Sequence, residues 1–152
     1  SLPQICTPFF IMNRLKKALK KEPAASPDED PGSPSGSSIV ESPFPGFFFA
    51  CKLSEVPLNS GLKCKVKGKV IGVFKVRNSK GSKLYAISNR CAHQGFPLHR
   101  GNVEELGGEN CVVCPAHGVR FVLRTGTAAD QNKYQQTVYQ TKVCEGKVWV
   151  AV

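Results

Sequence analysis

Apolar and polar positions follow a β pattern from Phe47 to the end of the chain. Residues 62–67 alternate strictly, so that Lys63, Lys65 and Lys67 share one face of a strand and apolar side chains share the other. The same reasoning predicts strands at residues 47–53, 62–67, 70–77, 84–88, 137–145 and 147–152, with turns at 67–69, 78–81 and 146. Short strands at close spacing predict an all-β fold, either an antiparallel sandwich or a small barrel.

Residues 9–21 have a helical pattern instead. Ile11, Leu15 and Leu19 fall on one helical face, with lysine and arginine opposite. This predicts a short basic amphipathic segment within an N-terminal arm, residues 1–21. Such a segment suits an organelle-targeting peptide, a peripheral membrane contact, an arm that docks on a partner, or a solvated tail.

Composition separates an acidic linker, residues 22–46, from a domain, residues 47–152. The linker has five acidic and no basic residues, with six prolines, six serines and three glycines, which is typical of a flexible, solvated segment. The five basic charges of the arm cancel the five acidic charges of the linker. The domain therefore has 16 basic and 6 acidic residues and carries the whole net charge of +10. The 152 residues suffice for one domain, and no apolar run approaches the roughly 20 residues that span a bilayer.

The basic residues of the domain are concentrated in its first half. The following positions occur with no acidic residue among them: Lys63, Lys65, Lys67, Lys69, Lys75, Arg77, Lys80 and Lys83. Nucleic-acid binding is not expected, because neither interleaved aromatic residues nor a basic helix is evident. Lysines also protect sheet edges from aggregation. We favour an acidic electron-transfer partner, because attraction between charges speeds transient encounters.

Two short motifs contain both cysteine and histidine. One residue lies between Cys91 and His93, two residues lie between Cys114 and His117, and 20 residues separate the motifs. Both motifs fall in loops between predicted strands. Two cysteines and two histidines suit a zinc ion, but zinc sites usually pair Cys with Cys and His with His. A two-iron cluster suits this arrangement if one iron takes both thiolates and the other takes both imidazoles.

At these residues the chain resembles the Rieske iron–sulfur family. Residues 91–98 and 114–121 look like its two cluster-binding loops, and Asn89, Gly101 and residues 123–126 also fit the pattern. The resemblance covers residues 47–152 and implies a small antiparallel Rieske-type β domain. It also implies a Rieske-type [2Fe–2S] cluster with Cys91 and Cys114 on the inner iron and His93 and His117 on the outer iron, near the surface.

Four positions depart from the quinol-oxidising members of that family. In those members each cluster loop carries an extra cysteine and the two form a disulfide, whereas Phe96 and Ala116 stand here. Their hydroxyl donors to the cluster sulfurs correspond here to Val119 and Phe121. A hydrogen bond to a sulfur stabilises the reduced cluster, so we expect a potential near the bottom of the Rieske range of about −150 to +300 mV.

The remaining cysteines and the third histidine have ordinary interpretations. Five cysteines lie outside the motifs: Cys6, Cys51, Cys64, Cys111 and Cys144. We expect free thiols, with Cys51, Cys64, Cys111 and Cys144 on strands, where such a residue behaves as a small hydrophobe. Several unpaired cysteines indicate a reducing compartment. His99 is expected to be an exposed loop residue, with a position near the cluster rim as the alternative.

Two functions are compatible with these features. The first is a one-electron carrier, either a ferredoxin-like protein or an electron-transfer subunit of a larger complex. The second is an accessory subunit of a large redox complex, anchored by its arm, with the cluster off the main electron path. Only 26 residues follow Gly126, so the catalytic domain of an oxygenase is not expected. The basic start and the absence of an initiator methionine favour a eukaryotic organelle, chloroplast or mitochondrion.

Overall fold

The computed structural model describes residues 42–131 and 133–152. All of them belong to one unit of the chain, Val40–Val152. The predictions for the arm, residues 1–21, and for the linker as far as residue 41 lie outside the described residues. No helix in the described part is long and apolar enough to cross a membrane.

The described residues fold into ten strands and two short 3-10 turns. The strands are β1 (Phe47–Lys52), β2 (Ser60–Val66), β3 (Lys69–Asn78), β4 (Gly81–Ser88), β5 (Val103–Leu106), β6 (Glu109–Val113), β7 (Arg120–Val122), β8 (Val138–Tyr139), β9 (Thr141–Cys144) and β10 (Lys147–Ala151). The 3-10 turns are Leu53–Glu55 and Leu98–Arg100. The first four strands follow the predicted pattern, with Lys63 and Lys65 exposed and Cys64 and Val66 buried.

The strands form three antiparallel sheets. The central sheet has the order β2-β3-β4-β8, the terminal sheet β1-β10-β9, and the loop-bearing sheet β5-β6-β7. Lys67 has a φ of 50° and Gly68 a φ of 79°, which closes the tight β2–β3 hairpin, and Val66 pairs with Lys69 beside it. The prediction of an all-β, antiparallel fold is confirmed.

The middle of β3 is buried on both faces, because residues 71–74 contact one core cluster on each side of the strand. Ile71 and Val73 pack with Val148 and Val150 of the terminal sheet in one core cluster. A second cluster joins the opposite face of the central sheet to the two Cys–His motifs. Its buried members are Phe74, Val76, Ile87, Cys91, Leu98, Val112, Cys114, Val119, Phe121, Leu123 and Ala128. The core of the domain therefore continues directly into the two motifs.

Two parts of the architecture differ from the sequence predictions. The strand predicted at residues 137–145 is divided at Gln140, so that β8 pairs with β4 while β9 pairs with β10. A single predicted strand thus connects two sheets. The loop-bearing sheet was not predicted as a unit, although Cys111 was correctly placed on a buried strand.

Candidate metal centre

The two motifs adopt the same backbone conformation. Loop one is residues 91–97 and loop two is residues 114–119. In loop one the Cys91 N–H donates to the Phe96 carbonyl at 2.9 Å, and the Gly95 N–H donates back to the Cys91 carbonyl at 2.7 Å. In loop two the N–H of Cys114 donates to the carbonyl of Val119 at 2.8 Å, and the N–H of Gly118 donates back to Cys114 at 2.9 Å.

A glycine is required at the fifth position of each loop. Gly95 has a φ of 75° and Gly118 a φ of 71°, a left-handed conformation that costs other L-residues free energy. The two loops therefore present their first residue, a cysteine, in equivalent surroundings. This repeated geometry was not evident from sequence spacing, since the histidine lies one position later in loop two.

The two cysteine thiols meet at the base of the loops. Cys91 is 3% exposed and Cys114 is 1% exposed, and their side chains are within hydrogen-bonding distance of each other. Burial raises the pKa of the Cys91 thiol, and the neighbouring Cys114 raises it further. The backbone N–H groups of His93 and Gln94 donate to the Cys91 sulfur and lower its pKa. These two donors are placed to stabilise negative charge on that sulfur.

The two histidines meet above the thiols. The rings of His93 and His117 have centroids 4.9 Å apart and are nearly perpendicular, at 88°. The Nδ1 atom of His93 is buried and has no hydrogen-bond partner among the described residues. A buried ring nitrogen without a partner costs free energy unless another group satisfies it. The orphaned nitrogen therefore indicates a bound group at this position.

The environments of the two histidines differ. His93 is half-buried, and the Tyr134 ring packs against it edge-on with centroids 5.0 Å apart. His117 is exposed, with Phe96 beside it at 6.2 Å between ring centroids. Phe96 is itself 46% exposed. One imidazole is therefore shielded and the other faces solvent beside an apolar ring.

The four side chains form two pairs, the thiols of Cys91 and Cys114 and the rings of His93 and His117. In the described part of the chain, no three His, Cys, Asp or Glu side chains are grouped so as to hold one metal ion. A Rieske-type [2Fe–2S] cluster requires pairs, because one iron takes two thiolates and the other takes two imidazoles. The adjacent thiols, the adjacent rings and the orphaned Nδ1 of His93 all fit that group.

Comparison with known proteins agrees with this geometry. A model of the Rieske-like [2Fe–2S] domain family matches residues 46–151. The chain belongs to that family. Its cofactor is accordingly a Rieske-type [2Fe–2S] cluster, and the domain serves electron transfer.

Curated relatives of this Rieske domain differ in size. The ferredoxin subunit of 3-phenylpropionate/cinnamic acid dioxygenase from Escherichia coli K12 is 34% identical over 80 residues, which are 53% of this chain and 68% of that protein. The large subunit of the NAD(P)H nitrite reductase of Klebsiella oxytoca is 26% identical over 136 residues, or 89% of this chain. A human Rieske domain-containing protein is 42% identical over 48 residues, or 32% of this chain. The chain spans only 13% of the length of the Klebsiella protein and 31% of the human protein.

Solved structures show the same Rieske fold. The ferredoxin of carbazole 1,9a-dioxygenase from Nocardioides aromaticivorans aligns with a TM-score of 0.58 and 27% identity, covering 69% of this chain and 96% of that one. A nitrite reductase small subunit from Mycobacterium tuberculosis aligns with a TM-score of 0.64 and 25% identity, covering 70% and 94%.

Residues outside the loops fix the Rieske loops in place. Gln136 is 3% exposed and donates through Nε2 to the Arg90 carbonyl, which precedes loop one, at 3.2 Å. Its backbone N–H donates to the carbonyl of Gly126, which follows β7, at 2.8 Å. The segment that carries Tyr134 is thereby connected to both halves of the site. Gln136 and Tyr134 were not predicted from the sequence, because a single amide or aromatic residue in a polar stretch has no distinguishing pattern.

Three of the four positions that depart from the quinol-oxidising class lie close to the thiols. Val119 and Phe121 are buried in the same cluster as Cys91 and Cys114. Their side chains carry no hydroxyl, and Ala116 packs against the same cluster. The immediate surroundings of the thiols on this side are therefore apolar. The expectation of a low potential stays a prediction.

Two sequence predictions outside the loops need correction. His99 is half-buried rather than exposed, because its backbone and ring both donate hydrogen bonds to the buried side chain of Asn89. Cys51, Cys64 and Cys111 are buried free thiols, as expected. Cys144 was also expected to be a free thiol, and it is disulfide-bonded instead. The prediction that all the cysteines outside the two motifs are free thiols is therefore wrong.

Proposed function

We propose that the chain is a one-electron carrier, either a small Rieske ferredoxin or an electron-transfer subunit of a larger enzyme, whose cluster is held by Cys91, His93, Cys114 and His117. The observation that carries this proposal is the pairing of two buried thiols below two adjacent imidazoles, one of which has an orphaned Nδ1. When bound, a cluster of this type supplies a one-electron couple.

The protein residues around the thiols support such a couple. The Cys91 and Cys114 sulfurs would bind from the buried side, where water is excluded. Two backbone N–H groups, those of His93 and Gln94, already donate toward the Cys91 sulfur, so little rearrangement accompanies a change of charge there. An electron carrier needs buried, preorganised thiol ligands and an imidazole that is exposed to its partner. Cys91 and Cys114 provide the first, and His117 provides the second.

His117 is the proposed exit for the electron. It is exposed, whereas Tyr134 covers His93. Phe96 gives the surface beside His117 an apolar centre, a feature that transient electron-transfer interfaces use for close contact.

The charges around this exposed end favour an acidic partner. Neither loop contains an acidic residue. Arg90 lies against the backbone of Gly95, and the Lys133 ammonium lies 5.0 Å from the centroid of the Tyr134 ring. Asp130 is already neutralised by Arg120 at 3.1 Å. Attraction between this basic surface and an acidic one would speed encounter.

Relatives agree with a subunit that works beside a larger protein. The structure described as a complex of reduced oxygenase and oxidized ferredoxin in carbazole 1,9a-dioxygenase contains a chain 27% identical to this one, with a TM-score of 0.55. We extend this arrangement to the present chain without assigning the partner enzyme. The peripheral membrane contact of residues 9–21 and the organelle location stay predictions of the sequence.

Stopped-flow oxidation of the cluster-loaded, reduced full chain tests the proposal. The oxidants are ferricyanide, an anion, and tris(phenanthroline)cobalt(III), a cation. We expect the ferricyanide rate to fall with ionic strength and the cobalt rate to rise, because the exposed end is basic. Lys133→Glu with Arg90→Glu should weaken both trends, whereas Lys65→Glu with Lys80→Glu should alter them less. Equal behaviour of both oxidants, or no oxidation by either, would contradict the proposal.

A further inference from the structure

Strand β4 has an open edge beside a groove that the cluster does not use. β4 pairs with β3 along its whole length, from Gly81 to Ser88. On its other side it pairs with β8 only at Ala86 and Ile87. In the described part of the chain, no strand pairs with that side of residues 81–83, whereas Leu84 faces Thr141, the first residue of β9.

The open edge presents backbone groups to the groove. The N–H of Ser88 donates to the carbonyl of Thr137 at 2.8 Å, on the β8 side. Antiparallel ladders alternate, so the backbone groups of Ser82 and Leu84 face the same side. The Leu84 carbonyl accepts a long hydrogen bond from the Thr141 hydroxyl at 3.4 Å, which confirms the direction of these groups and shows that Thr141 covers Leu84. The open part of the edge is therefore centred on Ser82. Unpaired strand edges of this kind are templates for another extended segment.

The groove next to this edge is lined by residues 83–86 of β4 and by residues 138–142, and it has a volume of about 350 Å³ and a basic, aromatic lining. Lys83, Arg124 and Lys142 line it, and no acidic residue does. Tyr85 and Tyr139 supply aromatic surface. The ammonium of Lys83 lies 5.3 Å from the centroid of the Tyr85 ring, so charge and aromatic surface occur together.

Two of the three cations have no carboxylate partner among the described residues. Arg124 is held by Glu109, to which its Nε donates at 3.0 Å. Lys83 and Lys142 form no ion pair with a described carboxylate. Lys142 lies instead 4.7 Å from the centroid of the Phe47 ring. The groove therefore keeps a net positive charge after Glu109 is counted.

We propose that the open edge of β4 and its groove bind an extended acidic segment of a partner protein, which adds as a strand beside residues 81–83. Strand addition supplies backbone hydrogen bonds, and alternate side chains of the added strand would place carboxylates near Lys83 and Lys142. A second copy of this chain is a poorer occupant, because the whole net charge of +10 lies on the domain and copies repel. The site serves docking and does not depend on the electron-transfer role.

Fluorescence anisotropy with the cluster-loaded full chain tests this proposal. The probe is a short labelled peptide in which glutamate alternates with valine and threonine. The comparison peptide has the same number of glutamates with proline at the alternate positions, so it keeps the charge and cannot pair as a strand. We expect saturable binding of the first peptide and about tenfold weaker binding of the second.

Matched variants locate the site. Lys83→Glu with Lys142→Glu should weaken binding about tenfold or more, whereas Lys65→Glu with Lys80→Glu changes net charge equally and should weaken it less than about threefold. Ser82→Pro leaves every charge in place and should also weaken binding, because it removes an edge N–H. If the double Glu variant does not fold, Lys83→Gln with Lys142→Gln replaces it in the binding experiment.

Four results would overturn the proposal. The first is no binding of the alternating peptide, and the second is equal binding of the proline peptide, which would show charge attraction alone. The third is an equal loss in both charge variants. Sedimentation as a dimer through this edge, abolished by Ser82→Pro, would identify a second copy as the occupant and would also overturn it. The visible spectrum of the cluster should be unchanged in every variant.

Discussion

The side-chain oxygen of Asn89 accepts two hydrogen bonds from His99. The backbone N–H of His99 donates at 2.8 Å, and its Nδ1 lies at 3.0 Å, which requires the proton on Nδ1. The backbone carbonyl of Asn89 also accepts from the N–H of Leu98 at 2.8 Å. Because Asn89 precedes loop one and His99 follows it, these bonds join the two ends of the loop that carries Cys91 and His93.

Asn89→Ala should therefore make the cluster less firmly bound. Removing a buried acceptor leaves two donors of His99 without a partner, at a cost of about 1–3 kcal/mol. We expect the visible absorption of the cluster to decay several-fold faster in the presence of an iron chelator. Asn102→Ala, at an exposed position after the loop, is the control and should decay like the wild type. A wild-type decay rate in Asn89→Ala would contradict the proposal that the hydrogen bonds between Asn89 and His99 hold the loop.

His99 should make stability depend on pH. Burial lowers its pKa below the ordinary 6.5, and the nearby charges of Arg100 and Lys63 lower it further. The folded state thus favours neutral His99, so the unfolded state takes up the proton first as the pH falls below 6.5. Stability should be flat above that pH and decline below it.

Thermal unfolding of the loaded protein between about pH 8 and pH 5.5 measures this decline. In His99→Gln, whose amide keeps a donor for Asn89 and does not titrate, the decline should be smaller. An unchanged slope in that variant would show that other groups are responsible.

Val119→Ser should raise the reduction potential. Val119 is buried beside the two thiols, and a hydroxyl there would offer a hydrogen bond to sulfur that stabilises the reduced cluster. One such bond, at about 0.5–1.5 kcal/mol, corresponds to roughly 20–60 mV. Val119→Ala creates a similar space without the donor and is the control. Voltammetry should show a rise for serine relative to alanine, from a wild-type value near the bottom of the Rieske range. A wild-type potential above about +100 mV would refute the low-potential assignment.

Gly101→Ala should destabilise the domain strongly. Gly101 has an ordinary φ of −80°, but an added Cβ would overlap the carbonyl oxygen of Val113, the residue before Cys114. We expect a loss of about 3 kcal/mol or more, because backbone cannot yield as a side chain can. Gly107→Ala meets no atom within 4 Å and bears only the strain of its φ of 59°, so about 1–2 kcal/mol is expected. Chemical denaturation that ranks Gly107→Ala as the more damaging change would contradict this account.

The parts of the fold that were predictable have strong local patterns. The β2–β3 hairpin follows from alternation around Lys67 and Gly68, where one face alone is buried. The pairing of Cys91 with Cys114 and of His93 with His117 was implied by the resemblance of the two motifs to Rieske cluster-binding loops. In both cases the information is contained in a few consecutive residues.

The remaining parts depend on contacts between distant residues. Gln136 reaches the carbonyl of Arg90 across 46 positions, and no local pattern marks an amide as buried. His99 resembles an ordinary loop histidine until Asn89 is placed beside it. The division of residues 137–145 at Gln140 is likewise decided by which sheet each half can pair with.

Pulsed electron paramagnetic resonance of the reduced full chain is the most direct test of the central claim. We predict one unpaired spin per chain, coupled to two imidazole nitrogens, and the loss of one coupling when His117→Cys retains a cluster. His99→Gln should keep both couplings. A spectrum without nitrogen coupling, or a protein that binds zinc and gives no signal, would contradict the assignment of Cys91, His93, Cys114 and His117.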